Sequence, residues 1–155
     1  MIEIRLHDRG GRKLGLWAEA LARAALKDGK YSQSHLSFGL DRAGAPNTAI
    51  TRIAPSPIRQ RAGNASAPDV IVVLDPSIVD LVDVTAGLKG SRTLVMPTGT
   101  PLSIPVEKNW RVHTVDTTGL APAQARAALL DGVLTITQIA SSSSLQAAIQ
   151  ELKLE

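Results

Sequence analysis

Five consecutive residues near the start of the chain could bind an anion. Arg9, Gly10 and Gly11 are followed directly by Arg12 and Lys13. A helical pattern begins after them, and the first N–H groups of a helix have no partners within the helix. These groups and the helix dipole attract negative charge, and three cationic side chains add to the attraction. The spacing therefore predicts an anion site, or a contact with a partner, at residues 9–13.

This turn does not match the known nucleotide-binding patterns. The dinucleotide pattern requires Gly-x-Gly-x-x-Gly, whereas the glycines here are Gly10, Gly11 and Gly15. A P-loop ends in Gly-Lys-Ser/Thr, whereas Leu14 follows Lys13. These mismatches argue against nucleotide binding by the turn, which we keep as an alternative to a protein contact.

The remaining reactive side chains form no recognisable catalytic set. The sequence has no cysteine, which excludes disulfides, thiol catalysis and cysteine-ligated zinc or iron–sulfur clusters on this chain. His7, His35 and His113 lack the spacing of metal ligands, and His7, at the end of a predicted strand, is the best placed for a site. Gly-x-Ser-x-Gly is absent. We predict no catalytic residue and no metal site.

The strands that would position these residues follow from hydrophobic periodicity. Residues 70–74 form a continuous apolar run, typical of a strand buried on both faces. Residues 48–53 and 57–61 alternate between apolar and polar, and we expect them to pair as an antiparallel extension. Further strands are predicted at 2–7, 93–96 and 111–115, and an irregular interface loop at 31–47.

Helices are predicted between the strands. Residues 14–27 place apolar side chains on one face and are predicted to form a helix that Gly29 caps. Residues 121–130 and 145–152 are predicted to form two further helices. Residues 133–139 are expected to continue as a separate helix, and Ser143 or Ser144 to cap the last one. We predict one domain over residues 1–155, a Rossmann-like three-layer α/β/α domain with a mostly parallel sheet and a small antiparallel extension.

Composition favours a water-soluble protein that works with other proteins. The chain carries 17 Lys and Arg against 14 Asp and Glu, with basic concentrations at 9–13 and 59–61. Only 3% of the residues are aromatic, which argues against nucleic-acid binding by stacking. No apolar run reaches the length of about 18 residues typical of a membrane helix, and the chain opens with a strand pattern. We expect a cytoplasmic location without membrane contact.

Several segments, in order along the chain, resemble the gamma subunits of the 2-oxoacid:ferredoxin (or acceptor) oxidoreductases. These subunits open with a strand and a Gly-Arg-Gly-Gly-Gln-Gly turn. Arg9-Gly10-Gly11 matches its centre, whereas Asp8, Arg12 and Lys13 depart from it. The other matching segments are Asp28-Gly29-Lys30-Tyr31, Ser37-Phe38-Gly39, Asp41-Arg42-Ala43-Gly44-Ala45-Pro46, Pro57-Ile58-Arg59, Pro68-Asp69-Val70-Ile71-Val72 and Asp75-Pro76.

The resemblance implies a structural subunit of a larger enzyme. Such complexes, which act on pyruvate, ketoisovalerate or phenylglyoxylate, oxidatively decarboxylate a 2-oxoacid to acyl-CoA. Alpha, beta and delta-type subunits hold thiamine diphosphate, magnesium and the iron–sulfur clusters. Electrons pass to ferredoxin, or to NAD through another subunit. The gamma chain is expected to bind no cofactor alone and to help shape the thiamine and coenzyme A region.

The resemblance also assigns roles to residues. Arg9, Gly10 and Gly11 would contact coenzyme A, another anion or a neighbouring subunit. Arg12 stands where the family has Gln and Lys13 where it has Gly, and their long cationic side chains favour a subunit contact. The divergent turn suggests an aryl oxoacid such as phenylglyoxylate as the substrate. The alternatives are a free-standing module binding coenzyme A or a nucleotide, and a small hydrolase or transferase. The predicted interface residues are Arg12, Lys13, Tyr31, Phe38 and Arg42.

Overall fold

The computed structural model describes residues 1–37, 42–61, 67–87, 92–101 and 109–155. The described residues form six strands and three α-helices. The strands are β1 (Ile2–Arg9), β2 (Tyr31–Leu36), β3 (Pro46–Ala54), β4 (Val70–Val73), β5 (Thr93–Pro97) and β6 (Arg111–Val115). The helices are α1 (Leu14–Lys27), α2 (Pro122–Thr137) and α3 (Ser142–Glu151), with a short 3-10 helix at Pro76–Asp80.

The strands of the described residues form one mixed sheet in the order β2-β3-β1-β4-β5-β6. β1, β4, β5 and β6 run parallel to one another. β3 pairs antiparallel with β1 on one side and with β2 on the other. The predicted α/β class, with a mostly parallel sheet and an antiparallel extension, is confirmed.

The three α-helices cover one face of the sheet. Ile4 and Leu6 from β1 and Val72 from β4 pack there against Leu21 of α1 and Leu129 of α2, and all five are fully buried. Because α1 is rich in alanine, its backbone approaches the sheet closely. The hydroxyl of Thr51 on β3 donates to the Ala18 carbonyl of α1 at 2.9 Å. The apolar spacing of α1 in the sequence is that of this buried face.

The opposite face of the parallel half is also apolar. Ile71 and Val73 of β4 and Leu94 and Met96 of β5 pack under the 3-10 helix Pro76–Asp80. β4 therefore buries side chains on both faces, which explains its uninterrupted apolar sequence. Asp75 caps the 3-10 helix by accepting from the Ser77 N–H at 2.9 Å.

The same face of the antiparallel half is polar instead. The strand register aligns Glu3 of β1, Arg52 of β3 and Gln33 of β2 in one row. Residues 55–61, which we call the strap, lie over this row. Gln33 Nε2 donates to the Gln60 carbonyl at 2.9 Å, and Arg52 Nη1 donates to the Arg61 carbonyl at 3.0 Å.

The strand predictions were wrong at the antiparallel extension. Residues 57–61 form no strand, since Pro55 and Pro57 lack the N–H groups that a ladder requires. The outer partner of β3 is instead β2, which lies within the predicted loop 31–47. The sequence of β2, Tyr-Ser-Gln-Ser-His-Leu, shows no apolar alternation because serines occupy its face toward α1, where the Ser32 hydroxyl donates to the Ala22 carbonyl at 2.8 Å.

The helix predictions were accurate for α1 and less so for the C-terminal part. α2 continues without a break to Thr137. Gly132 lies within it because α2 packs closely on β6 there, and an added Cβ would lie only 3.0 Å from a Val115 methyl carbon. α3 is capped by Ser141 rather than Ser143 or Ser144, because the Ser141 hydroxyl accepts from the Ser144 N–H. None of the described helices is long and apolar enough to cross a membrane.

Candidate anion and interface site

Residues 9–13, which we call the basic turn, lie at the carboxyl end of β1 and are held by the segment that leads into β3. The Gly10 N–H donates to the Ala45 carbonyl at 2.7 Å, and the Gly44 N–H donates to the Gly10 carbonyl at 3.0 Å. Lys13 then adopts a left-handed conformation, with φ 60°, and α1 begins at Leu14 without a side-chain cap. The first N–H groups of α1 are therefore positioned to meet a negative group from outside the helix.

Gly11 is needed for the shape of this turn. Its φ is +79°, and an added Cβ would lie 3.4 Å from the Ala43 Cα. We expect Gly11→Ala to lower the free energy of unfolding by about 1–2 kcal/mol, because an L-residue is strained in this region. Gly15→Ala is the matched control. It lies within α1, where an added Cβ meets only a Leu36 methyl at 3.9 Å, and should stabilise the chain. Urea denaturation of the two variants measures the contrast, and equal effects would contradict it.

A buried ion pair joins the end of β1 to α2. Arg126 Nε lies 2.7 Å from one carboxylate oxygen of Asp8, and Nη2 lies 3.0 Å from the other. The Asp8 side chain is completely buried, and that of Arg126 is 7% exposed. The same carboxylate accepts from the Arg9 N–H at 2.7 Å. This pair fixes the first turn of α2 beside the basic turn.

An open cavity of about 360 Å³ lies between the two helix N-termini. One wall is the basic turn with Trp17, and the other is the first turn of α2 with Arg126. Two positive helix ends and a cationic turn attract phosphate or carboxylate groups, and Glu155 in the same lining opposes this attraction. The residues that line it are Gly11, Arg12, Lys13, Trp17, Pro122, Ala123, Arg126, Leu154 and Glu155.

Asp75 neutralises two of the three cations of the turn. It follows β4, the parallel neighbour of β1, so it lies at the same edge of the sheet. Its Oδ2 lies 2.9 Å from Arg12 Nη1 and 3.7 Å from Arg9 Nε. Arg9 also donates to the Ser77 hydroxyl at 2.8 Å and to the Gly44 carbonyl. Within the described part of the chain, the exposed Lys13 ammonium has no such partner.

The environment of Asp75 favours its ionised form. Partial burial by itself would raise the pKa of this carboxyl. The hydrogen bonds from the Ser77 hydroxyl and N–H and the charges of Arg12 and Arg9 outweigh burial, so the pKa lies below its ordinary value. Asp75 therefore stays charged near neutral pH and competes with any other anion for Arg12.

The structure brings some of the predicted interface residues to the turn and not others. Arg42 is exposed and belongs to the segment that bonds to Gly10. Tyr31 begins β2 at the opposite end of the sheet, at roughly 25 Å by the rise of β1. His7 does not line the cavity, since its side chain is buried on the other face of β1 and accepts from Arg5 Nε at 3.1 Å. Phe38 lies outside the described residues.

Comparison with known proteins gives the family. The sequence matches the pyruvate ferredoxin/flavodoxin oxidoreductase family over residues 3–153. The common subunit gamma of the pyruvate/ketoisovalerate oxidoreductases of Thermococcus kodakarensis is 43% identical, with 97% of this chain and 86% of that protein aligned. Pyruvate synthase subunit PorC of Methanothermobacter marburgensis is 47% identical over 121 residues, which are 78% of this chain and 66% of that protein.

The fold agrees with these relatives. The crystal structure of pyruvate oxidoreductase subunit PORC from Thermotoga maritima superposes with a TM-score of 0.72 at 25% identity, covering 97% of this chain and 84% of that one. The chain belongs to the pyruvate ferredoxin/flavodoxin oxidoreductase family. Within that family, these three relatives are gamma or PorC subunits of oxidoreductases. The aligned region spans about two thirds of the Methanothermobacter protein.

Sequence reasoning missed the second wall of the cavity. Arg126 lies on the apolar face of α2, between Ala123 and Leu130, and an arginine in that position indicates a buried acidic partner. In the sequence, Asp8 stands out only as a departure from the family turn. In the sequence, Asp75 is recognisable only as a polar residue at the end of a strand. Its partner Arg12 is 63 residues away in sequence, so local patterns could not predict the pair.

Proposed function

We propose that this chain is the gamma-type subunit of a 2-oxoacid:acceptor oxidoreductase and acts only within the assembled complex. The observation that carries the proposal is the 43% identity to a common gamma subunit across 97% of the chain. Partner subunits of alpha, beta and delta type would supply thiamine diphosphate, magnesium and iron–sulfur clusters. The complex would convert a 2-oxoacid and coenzyme A to acyl-CoA in the cytoplasm and pass electrons to ferredoxin, or to NAD through another subunit.

Within this complex, the basic turn would contact a neighbouring subunit in preference to coenzyme A. Arg9 and Arg12 already pair with Asp75, which leaves Lys13 as the charge available to a new partner. The cavity beside it is open, so it can admit an acidic side chain from another protein. Arg42 lies beside the same turn and adds an exposed cation.

Replacing Arg12 and Lys13 together with alanine distinguishes the two roles of the turn. A subunit contact predicts that the tagged variant retains less of its partner subunits, whereas the KM for coenzyme A of the complex that does form stays within about twofold. The measurement is the recovered amount of each partner, together with the coenzyme A dependence of activity. Full assembly with a raised KM for coenzyme A would assign the turn to the ligand instead.

The experiment that tests the function is purification of the tagged chain from its host. We expect partner subunits carrying thiamine diphosphate and iron–sulfur clusters, and viologen reduction that requires both a 2-oxoacid and coenzyme A. Comparing pyruvate, ketoisovalerate and phenylglyoxylate identifies the substrate. The names of the relatives favour pyruvate, whereas the divergent turn favours the aryl acid. Recovery of the chain alone, without iron-containing partners, would refute the proposal.

The cavity supports one alternative function, a free-standing module that binds coenzyme A or a nucleotide. Two helix N-termini and Lys13 face a volume of about 360 Å³, which suits a phosphate-bearing ligand. Titration calorimetry of the isolated full chain with coenzyme A tests this. Micromolar binding without any partner would favour the module, and heats equal to those of dilution would exclude it.

A further inference from the structure

The strap is a second basic segment, separate from the basic turn, and it carries Arg59 and Arg61. Its backbone is anchored to the sheet because the Gln60 carbonyl accepts from Gln33 and the Arg61 carbonyl accepts from Arg52. Arg52 is itself buried and fixed by Glu3, whose carboxylate lies 2.6 Å from its Nε. A buried ion pair in the sheet therefore determines where the strap lies.

The side chains of the strap remain available while its backbone is held. Arg59, Gln60 and Arg61 are all exposed, as are Pro55 and Pro57. Within the described residues, the guanidinium groups of Arg59 and Arg61 have no hydrogen bond or ion pair. A segment that is fixed before binding loses little conformational entropy when it meets a partner.

Unlike the arginines of the strap, two cations on α1 are paired with carboxylates of the same chain. On α1, Arg23 pairs with Glu19 and with Glu151 of α3, and Lys27 also pairs with Glu151. These exposed cations are therefore neutralised within the chain and need nothing from outside. The two arginines of the strap lack such compensation, so they, like Lys13 at the basic turn, remain available to an external acidic group.

An exposed aromatic residue lies beside the strap. Tyr31 is on the same face of β2 as Gln33, two residues away, and 46% of its surface is exposed. Tyrosine and arginine are the residue types most enriched where proteins bind one another. The polar row Glu3, Arg52 and Gln33 lies under the strap and has no helix above it in the described part of the chain.

We propose that the strap and Tyr31 form a second docking surface, which binds an acidic surface of a neighbouring subunit of the same complex. This proposal rests on the proposed function, since the partner is another subunit of the oxidoreductase. The surface is separate from the basic turn, which lies at the other end of β1. Arg59 and Arg61 supply the charge, Tyr31 supplies aromatic contact area, and Arg52 and Gln33 hold the strap in place.

Charge reversal within the assembled complex tests the docking surface. Arg59→Glu and Arg61→Glu are made singly and together in the tagged full chain, co-expressed with all partner subunits in the host. Arg111→Glu is the matched control, because Arg111 is exposed on the edge strand β6 and the charge change is the same. Partner subunits retained by the tag are quantified at about 0.1 M and about 1 M salt, where the screening length falls roughly threefold.

We expect each reversal in the strap to weaken partner retention about tenfold at low salt, and the double variant to retain almost none. Arg111→Glu should retain partners like the wild type, and raising the salt should weaken the wild type toward the single variants. Unchanged thermal midpoints would show that the variants remain folded.

Three outcomes would overturn the proposal. If the double variant assembles like the wild type, the docking surface is refuted while the proposed function stands. If the wild-type chain itself recovers no partner subunit, both are refuted. If the wild-type complex binds a nucleic-acid duplex and the reversals abolish that binding instead, the surface serves a different class of partner.

Discussion

Replacing Arg126 with methionine is expected to lower the free energy of unfolding by about 3–5 kcal/mol, because it leaves the fully buried Asp8 carboxylate without its counter-charge. Arg126 also donates to the Pro122 carbonyl, so the first turn of α2 loses a hydrogen bond as well. Since the same carboxylate accepts from the Arg9 N–H, the basic turn should become less ordered. Chemical denaturation measures the loss, and amide exchange at residues 9–13 measures the disorder.

Two variants control this prediction. Arg23→Met removes an arginine whose pair with Glu19 is exposed, with side chains 40% and 36% accessible, and should cost less than about 1 kcal/mol. Asp8→Asn combined with Arg126→Met removes both charges and should recover part of the loss, because no buried charge remains unpaired. Equal costs for Arg126→Met and Arg23→Met would show that the buried pair does not stabilise the fold.

His7 is expected to make the protein less stable as the pH falls from about 6.5 toward 3. Burial, reinforced by the charge of Arg5 and opposed by that of Asp83, lowers the pKa of His7 to about 3. Its Nδ1 atom is buried without a hydrogen-bond partner in the described part of the chain. Between the two pKa values the unfolded chain binds a proton that the folded chain does not. Stability should therefore fall by up to about 1.4 kcal/mol for each pH unit in that window.

The measurement is the free energy of unfolding between pH 6.5 and pH 5, above the range in which most carboxylates titrate. His7→Gln should flatten this dependence, because glutamine accepts no proton on unfolding. His113→Gln removes a histidine from the edge strand β6 and serves as the matched control, which should retain the steep slope. Parallel curves for the wild type and His7→Gln would contradict the prediction.

The sequence predicted the parallel half of the fold better than the antiparallel half. Residues 70–74 and 14–27 carry an apolar pattern because they pack on the core on the expected faces. β2 carries Ser32 and Ser34 on its face toward α1, so its sequence shows no alternation by which a strand is recognised. The strap shows alternation without pairing, since its prolines cannot donate to a ladder.

The candidate site was predicted in part, for a similar reason. The basic turn could be predicted from consecutive residues, because a strand, a glycine turn and a helix start are local features. Its partners could not, since Asp75 and Arg126 are brought to it by the sheet and by α2 across 63 and 118 residues of sequence. The sequence groups Tyr31 with the turn as one interface, but the register places them at opposite ends of β1.

The pairing of Asp75 with Arg12 makes any binding to the Arg12 guanidinium an exchange of counter-ions. An incoming group has to displace a carboxylate that also caps the 3-10 helix, so it gains only the difference between two electrostatic attractions. A doubly charged phosphate competes better for Arg12 than a single carboxylate or chloride does, whereas a carboxylate can pair with Lys13 without displacing Asp75. Because the same carboxylate caps the 3-10 helix, a group that displaced it from Arg12 would also loosen that cap.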